Sequence, residues 1–164
     1  MRLLARLFGG RVRAQIEEGA HVVGMAIYMH LYEAYAKQYG HEKGVSLAIA
    51  VTNELFGAPP GNEIARAFLA LNRSLVDAAL RDIKNEPRIC YIVSVITHMR
   101  ANVAGNTRTV TGEMGLSWVR LRELGVLLPI DQIQRPTSPE DLMQQAREFE
   151  QWVVERAHEN RATS

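Results

Sequence analysis

The chain has 164 residues, of which 47% are hydrophobic and 23% are charged. This composition excludes a wholly disordered chain, and the length is that of one domain with a buried core. The 19 basic and 18 acidic residues give a net charge of +1, which excludes a strong overall field for nucleic acid. The single cysteine, Cys90, cannot form an internal disulfide, so we expect a reducing, cytoplasmic location.

The first 13 residues form a basic, amphipathic arm. The segment 1–13 has no acidic residue, and its arginines are Arg2, Arg6, Arg11 and Arg13. Its apolar residues, among them Leu4, Leu7 and Phe8, recur at helical spacing and share one side of a helix. We expect this interaction arm to pack on protein, and an anionic membrane surface is the alternative. No stretch is long and apolar enough to predict a membrane-spanning helix.

Glycine and proline divide the rest of the chain into helices. We predict a first helix over residues 12–39, ending at Gly40, and a second over 43–56, ending at Gly57. A third is predicted over 62–84, with an asparagine as its N-cap. The first and third helices are apolar on more than one side. In the first, Met25, Met29 and Tyr32 lie opposite the core stripe, so we expect both faces to be covered, partly by a partner.

Three further helices are predicted in the second half of the chain. Residues 89–96 are rich in β-branched side chains, but their apolar positions follow the helical period after Pro87. A short helix is predicted over 113–124, and the last begins at Ser138 and Pro139. The predicted fold is an all-α, compact bundle of five to six helices in a single domain. The bundle domain covers residues 14–160, and 161–164 form a disordered tail.

A polar stripe on the fourth helix is the main candidate for a ligand site. Tyr91, Ser94 and His98 share one face, and Ser94 and His98 are i, i+4 neighbours. Arg100 follows on the same helix, and Arg108 lies in a polar loop before the next helix. No third orienting group is specified, so we predict hydrogen bonding between helices, with ligand binding as the alternative. No catalytic residue is assigned.

Two Glu-x-x-His pairs have the spacing found in ferritin-like di-iron bundles: Glu18 with His21, and Glu155 with His158. At about 100° per residue, both pairs lie opposite the apolar stripes of their helices. We therefore predict solvated polar faces, with no metal and no cofactor.

Residues 115–129 resemble the recognition-helix end of MerR-type helix-turn-helix regulators. The likeness covers about a tenth of the chain, and only Arg120 and Arg122 supply base-reading charge. A Gly/Thr loop precedes it where those regulators have a first helix. We therefore do not expect nucleic-acid binding.

These observations predict a non-enzymatic helical protein that works through protein–protein contacts, as an oligomer or as a subunit of an assembly. The first alternative is a ligand- or metal-binding bundle, a possible enzyme, with its site between helices. The second alternative is peripheral membrane association through the N-terminal arm.

Overall fold

The computed structural model describes residues 2–56, 63–104, 115–136 and 138–163, with side chains from residue 10 except 64, 65, 102–104 and 115–118. These residues form six α-helices and no strand, which confirms the predicted all-α bundle. The helices are α1 (Arg2–Tyr39), α2 (His41–Phe56), α3 (Glu63–Ile83), α4 (Pro87–Ala104), α5 (Gly115–Glu123) and α6 (Pro139–Ala162). A short 3-10 helix, Ile130–Gln132, lies between α5 and α6.

The start of helix α1 differs from the sequence prediction. Helix α1 begins at Arg2 rather than at residue 12, so the basic arm is the first part of α1. Glycine costs a helix about 1 kcal/mol relative to alanine, and the Gly9-Gly10 pair does not outweigh the helix-forming Leu and Arg residues around it. Helix α6, for which the sequence predicted only the start, continues to Ala162.

The start of α6 and the helical state of residues 89–96 are as predicted. The Ser138 side chain accepts a hydrogen bond from the backbone N–H of Asp141 at 3.2 Å, as an N-cap should. The β-branched run lies within α4, where its side chains are buried against the other helices. Burial therefore overrides the β-propensity of this segment.

Helix α1 is the centre of the bundle and contacts α2, α4 and α6. It forms an antiparallel hairpin with α2 through Gly40, whose φ of 88° favours glycine. Helix α4 is also antiparallel to α1, because His30 lies near Glu86 while Glu17 bonds to Arg100.

Helix α6 runs parallel to α1. Leu142, near the start of α6, lies where a Cβ on Gly19 would approach it to 3.2 Å. Near the other end of α6, Arg161 donates a hydrogen bond to Glu33 at 2.9 Å. The core between these helices is aliphatic, and its largest fully buried side chains include Ile16, Ile27, Leu47, Leu80, Ile96 and Leu142.

The close approach of α1 and α2 depends on Gly44. A Cβ at this position would lie 2.7 Å from the Cα and N atoms of Ala36, which belong to the backbone and cannot rotate away. We predict that Gly44→Ala lowers the free energy of unfolding by about 2 kcal/mol, measured by urea denaturation.

The matched control is Gly10→Ala, since a Cβ at Gly10 meets nothing within 4 Å. This change should raise the free energy of unfolding by about 0.5–1 kcal/mol, as expected for an exposed helical glycine. Equal changes in the free energy of unfolding of Gly44→Ala and Gly10→Ala would contradict the close approach of α1 and α2.

Candidate functional site

The polar stripe of α4 forms hydrogen bonds with the segment that connects α5 and α6. The hydroxyl of Ser94 is fully buried; it donates to the Cys90 carbonyl at 2.6 Å and accepts from the Leu128 N–H at 2.9 Å. The Tyr91 hydroxyl accepts from the Gln134 N–H at 3.0 Å and donates to the Gln134 carbonyl at 3.2 Å. Both side chains therefore satisfy backbone groups of the segment 126–134.

The other residues of the predicted ligand site lie in different surroundings. The His98 ring nitrogen Nε2 is 3.4 Å from the Leu128 carbonyl, so His98 also borders the α5–α6 connection. Arg100 points away from this segment and bonds to Glu17 of α1. Arg108 lies outside the described residues. The structure thus brings Tyr91, Ser94 and His98 to one connection and places Arg100 elsewhere.

Cys90 is a buried thiol beneath the end of α3. Its Sγ donates to the Ile83 carbonyl at 3.2 Å, and burial raises the pKa of the thiol. The thiol therefore stays protonated near neutral pH, which does not suit a nucleophile.

All four residues of the two Glu-x-x-His pairs are exposed: Glu18, His21, Glu155 and His158. Within the described parts of the chain, no three His, Cys, Asp or Glu residues lie together in a way that would hold a metal ion.

The N-terminal arm and the segment that resembles a recognition helix have different surroundings. Arg11 and Arg13 are exposed on α1, while the side chains of Arg2, Leu4, Arg6, Leu7 and Phe8 lie outside the described residues. The contact made by the arm therefore stays a prediction. On α5, Arg120 forms an ion pair with Asp77 of α3 and so faces the protein.

A groove of about 690 Å³ lies between the outer sides of α1 and α6, and we call it the α1–α6 groove. Its centre is apolar and includes Met25, Met29, Val154 and Ala157. The side chains of Met25, Met29 and Val154 are 49%, 59% and 48% exposed, although large apolar side chains are usually covered. The expected cover on the Met25 and Met29 side of α1 is therefore absent from the described part of the chain.

Charged residues of both signs border this apolar centre. Glu33 and Arg161 form an ion pair of 2.9 Å across the groove, between α1 and α6. Lys37 lines the same end, and Glu150 lines the groove one turn before Val154. An apolar centre with a charged rim is the usual arrangement of a protein–protein interface.

His30 lies in the wall of the groove, where α1, α4 and α6 meet. Burial lowers the pKa of His30; Glu86, 3.9 Å away, and Glu33 oppose this shift, while Arg156 adds to it. The imidazole ring also packs beside Trp152, with 6.3 Å between ring centroids. The folded protein therefore favours neutral His30.

Comparisons with protein-family models, with curated proteins and with solved structures find no match for this chain. Among the described helices, none has the length and apolarity needed to cross a membrane. Function must therefore be inferred from the surfaces themselves.

The lowered pKa of His30 predicts a pH dependence of stability. The unfolded chain takes up a proton on this residue as the pH falls through its ordinary value of 6.5, whereas the folded protein takes it up only at lower pH. The His30 contribution to the free energy of unfolding should therefore fall as the pH drops below 6.5.

Urea denaturation at about pH 7.5 and about pH 5.5 checks this contribution, because these values lie about one unit above and below the ordinary histidine pKa. The variant His30→Gln should lose less stability than the wild type over this range. His21→Gln, which changes an exposed imidazole, is the control and should keep the wild-type slope. If the free energy of unfolding of His30→Gln changed with pH as much as that of the wild type, His30 would not be the source of this pH dependence.

Proposed function

We propose that this protein is a non-enzymatic, cytoplasmic assembly protein that acts through protein–protein contacts and forms a two-fold dimer through the α1–α6 groove. The observation that carries the proposal is the exposed apolar centre of that groove, formed by Met25, Met29 and Val154. Burial of such side chains in a partner contributes about 25 cal/mol for each Å² removed from water. Methionine also adapts its shape to the surface it meets.

The order of residues on α6 favours a second copy of this chain as the partner. Among the α6 residues that line the groove, Glu150, Val154, Ala157 and Arg161 fall within about 60° of one another at about 100° per residue. The others, Val153, His158 and Asn160, lie on either side of this row. The midpoint between Glu150 and Arg161 coincides with the midpoint between Val154 and Ala157. The sequence of charge, apolar pair and opposite charge is therefore symmetric about its centre.

A two-fold axis through this midpoint pairs each α6 with an antiparallel α6 from the other copy. Glu150 then faces Arg161 of the partner subunit, and the reverse pair forms on the other side of the axis. The apolar pairs meet between these two charge pairs. Arg161 can donate hydrogen bonds to Glu33 and to the partner subunit's Glu150 at the same time, because a guanidinium has five N–H donors.

We predict that the wild-type protein has a mass of twice 18.4 kDa by light scattering after size exclusion at about 100 µM, a concentration at which a micromolar dimer forms. Met29→Asp should give a monomer of 18.4 kDa, since the carboxylate would be buried in the apolar centre. Leu71→Asp is the control: Leu71 is 86% exposed on α3, outside the groove, and its change should leave the dimer intact. A wild-type monomer at this concentration would refute the dimer.

Charge reversal tests the antiparallel arrangement. Glu150→Arg and Arg161→Glu should each weaken dimerisation about tenfold or more, because each places like charges opposite one another twice. The double variant should recover most of the lost affinity, measured by sedimentation equilibrium, and the loss of the Glu33–Arg161 pair accounts for the remainder. Folding is not at risk, since an exposed ion pair such as Glu33–Arg161 contributes at most about 1 kcal/mol. Failure of the double variant to recover would exclude this symmetry.

A further inference from the structure

A second cleft, of about 500 Å³, lies on the other side of Met25, between α1, α2 and the end of α4. We call it the Arg100 cleft. Its walls are largely apolar, and they include Gly24, Tyr28, Ile49 and Phe56. This volume is within the range of small-molecule sites, which combine apolar walls with a few placed polar groups.

The guanidinium of Arg100 lines this cleft, and hydrogen bonds hold it from two sides. Its Nη1 donates to the Phe56 carbonyl at 2.7 Å, which fixes the guanidinium at the end of α2. Its Nε and Nη2 donate to the two carboxylate oxygens of Glu17 at 2.8 Å and 2.7 Å. This two-point geometry is the one by which arginine binds any carboxylate.

The two partners of this ion pair differ in exposure. The Arg100 side chain is 15% exposed, whereas the Glu17 side chain is 52% exposed. Arg100 is therefore a fixed part of the cleft, and Glu17 is a carboxylate that water can already reach. The two-point geometry strengthens this ion pair, but water competes for a carboxylate that is half exposed. Another carboxylate can therefore replace Glu17.

We propose that the Arg100 cleft binds a small carboxylic acid with an apolar body, whose carboxylate takes the place of Glu17 on Arg100. The apolar body lies against Tyr28, Ile49 and Phe56, and Gly24 leaves room for it because it has no side chain. Met25 borders both the Arg100 cleft and the α1–α6 groove, but the residues proposed to bind the carboxylic acid do not line the groove.

Isothermal titration calorimetry of the full chain with 4-phenylbutyrate, and with uncharged 4-phenylbutanol as its matched control, tests this proposal. The acid should bind at least about tenfold more tightly than the alcohol, because hydrogen bonds to a charged group are worth about 1.5–3 kcal/mol. Glu17→Gln should tighten acid binding about three- to fivefold, because it removes the competing carboxylate. A purely structural role of Glu17 would not produce this gain.

Two further variants locate the binding. Arg100→Gln should abolish binding of the acid, while Arg88→Gln, which changes an exposed arginine of the same helix, should not. Gly24→Leu should fill the cleft and prevent binding. Gly10→Leu is its control, because a Cβ at Gly10 meets open space.

Three outcomes would overturn the proposal: no binding of 4-phenylbutyrate at about 10 mM, equal affinity for the acid and the alcohol, or no gain in Glu17→Gln. Arg100→Gln removes the donor to the Phe56 carbonyl and so risks the fold. Glu17→Gln leaves that hydrogen bond in place. If Arg100→Gln does not fold, the affinity of Glu17→Gln for 4-phenylbutyrate is the test of the proposal.

Discussion

Burial of one apolar stripe of α1 is the interaction on which the bundle depends. Ile16, Val23 and Ile27 are almost completely buried, and α2, α4 and α6 all pack on the helix that carries them. Burying an aliphatic side chain stabilises the fold by about 1.5–3 kcal/mol. Because three helices share one central helix, the outer side of α1 remains as a ridge at Met25, with an open space on each side. Both candidate surfaces therefore follow from the same packing.

Most of the fold could be predicted because its signals are local. Gly40, Pro87 and the Ser138-Pro139 pair each act on the helix next to them, so helix type and order are predictable from the sequence. The predicted start of α1 was wrong, because a glycine pair weakens a helix without ending it. Which helix lies at the centre is a matter of long-range packing, which no local pattern specifies.

The candidate sites were harder to predict because they depend on which distant segments of the chain pack against each side of a helix. Helical periodicity predicts that Tyr91, Ser94 and His98 share one side of α4. The segment that covers them, 126–134, is irregular, so no periodic pattern in its sequence predicts where it packs. Arg100 lies about 200° around the helix from His98, and its partners on α1 and α2 are distant in the sequence. Apolar periodicity likewise identified Met25 and Met29 without showing whether anything covers them.

The proposed dimer face on α6 could have been predicted from the sequence. Glu150, Val154, Ala157 and Arg161 share a side of the last helix next to its core stripe, and their symmetric spacing is visible without a structure.

The parallel pairing of α1 and α6 has a consequence for the order of folding. Glu33 and Arg161 are 128 residues apart, whereas α1 and α2 are joined by a single glycine. The hairpin of α1 and α2 can form while the chain is still being made. At about 5–20 residues per second, the ribosome needs on the order of ten seconds more to deliver α6. During that interval the side of α1 that α6 later covers remains uncovered, so the contact with α6 is the last of the three helix packings on α1 to form.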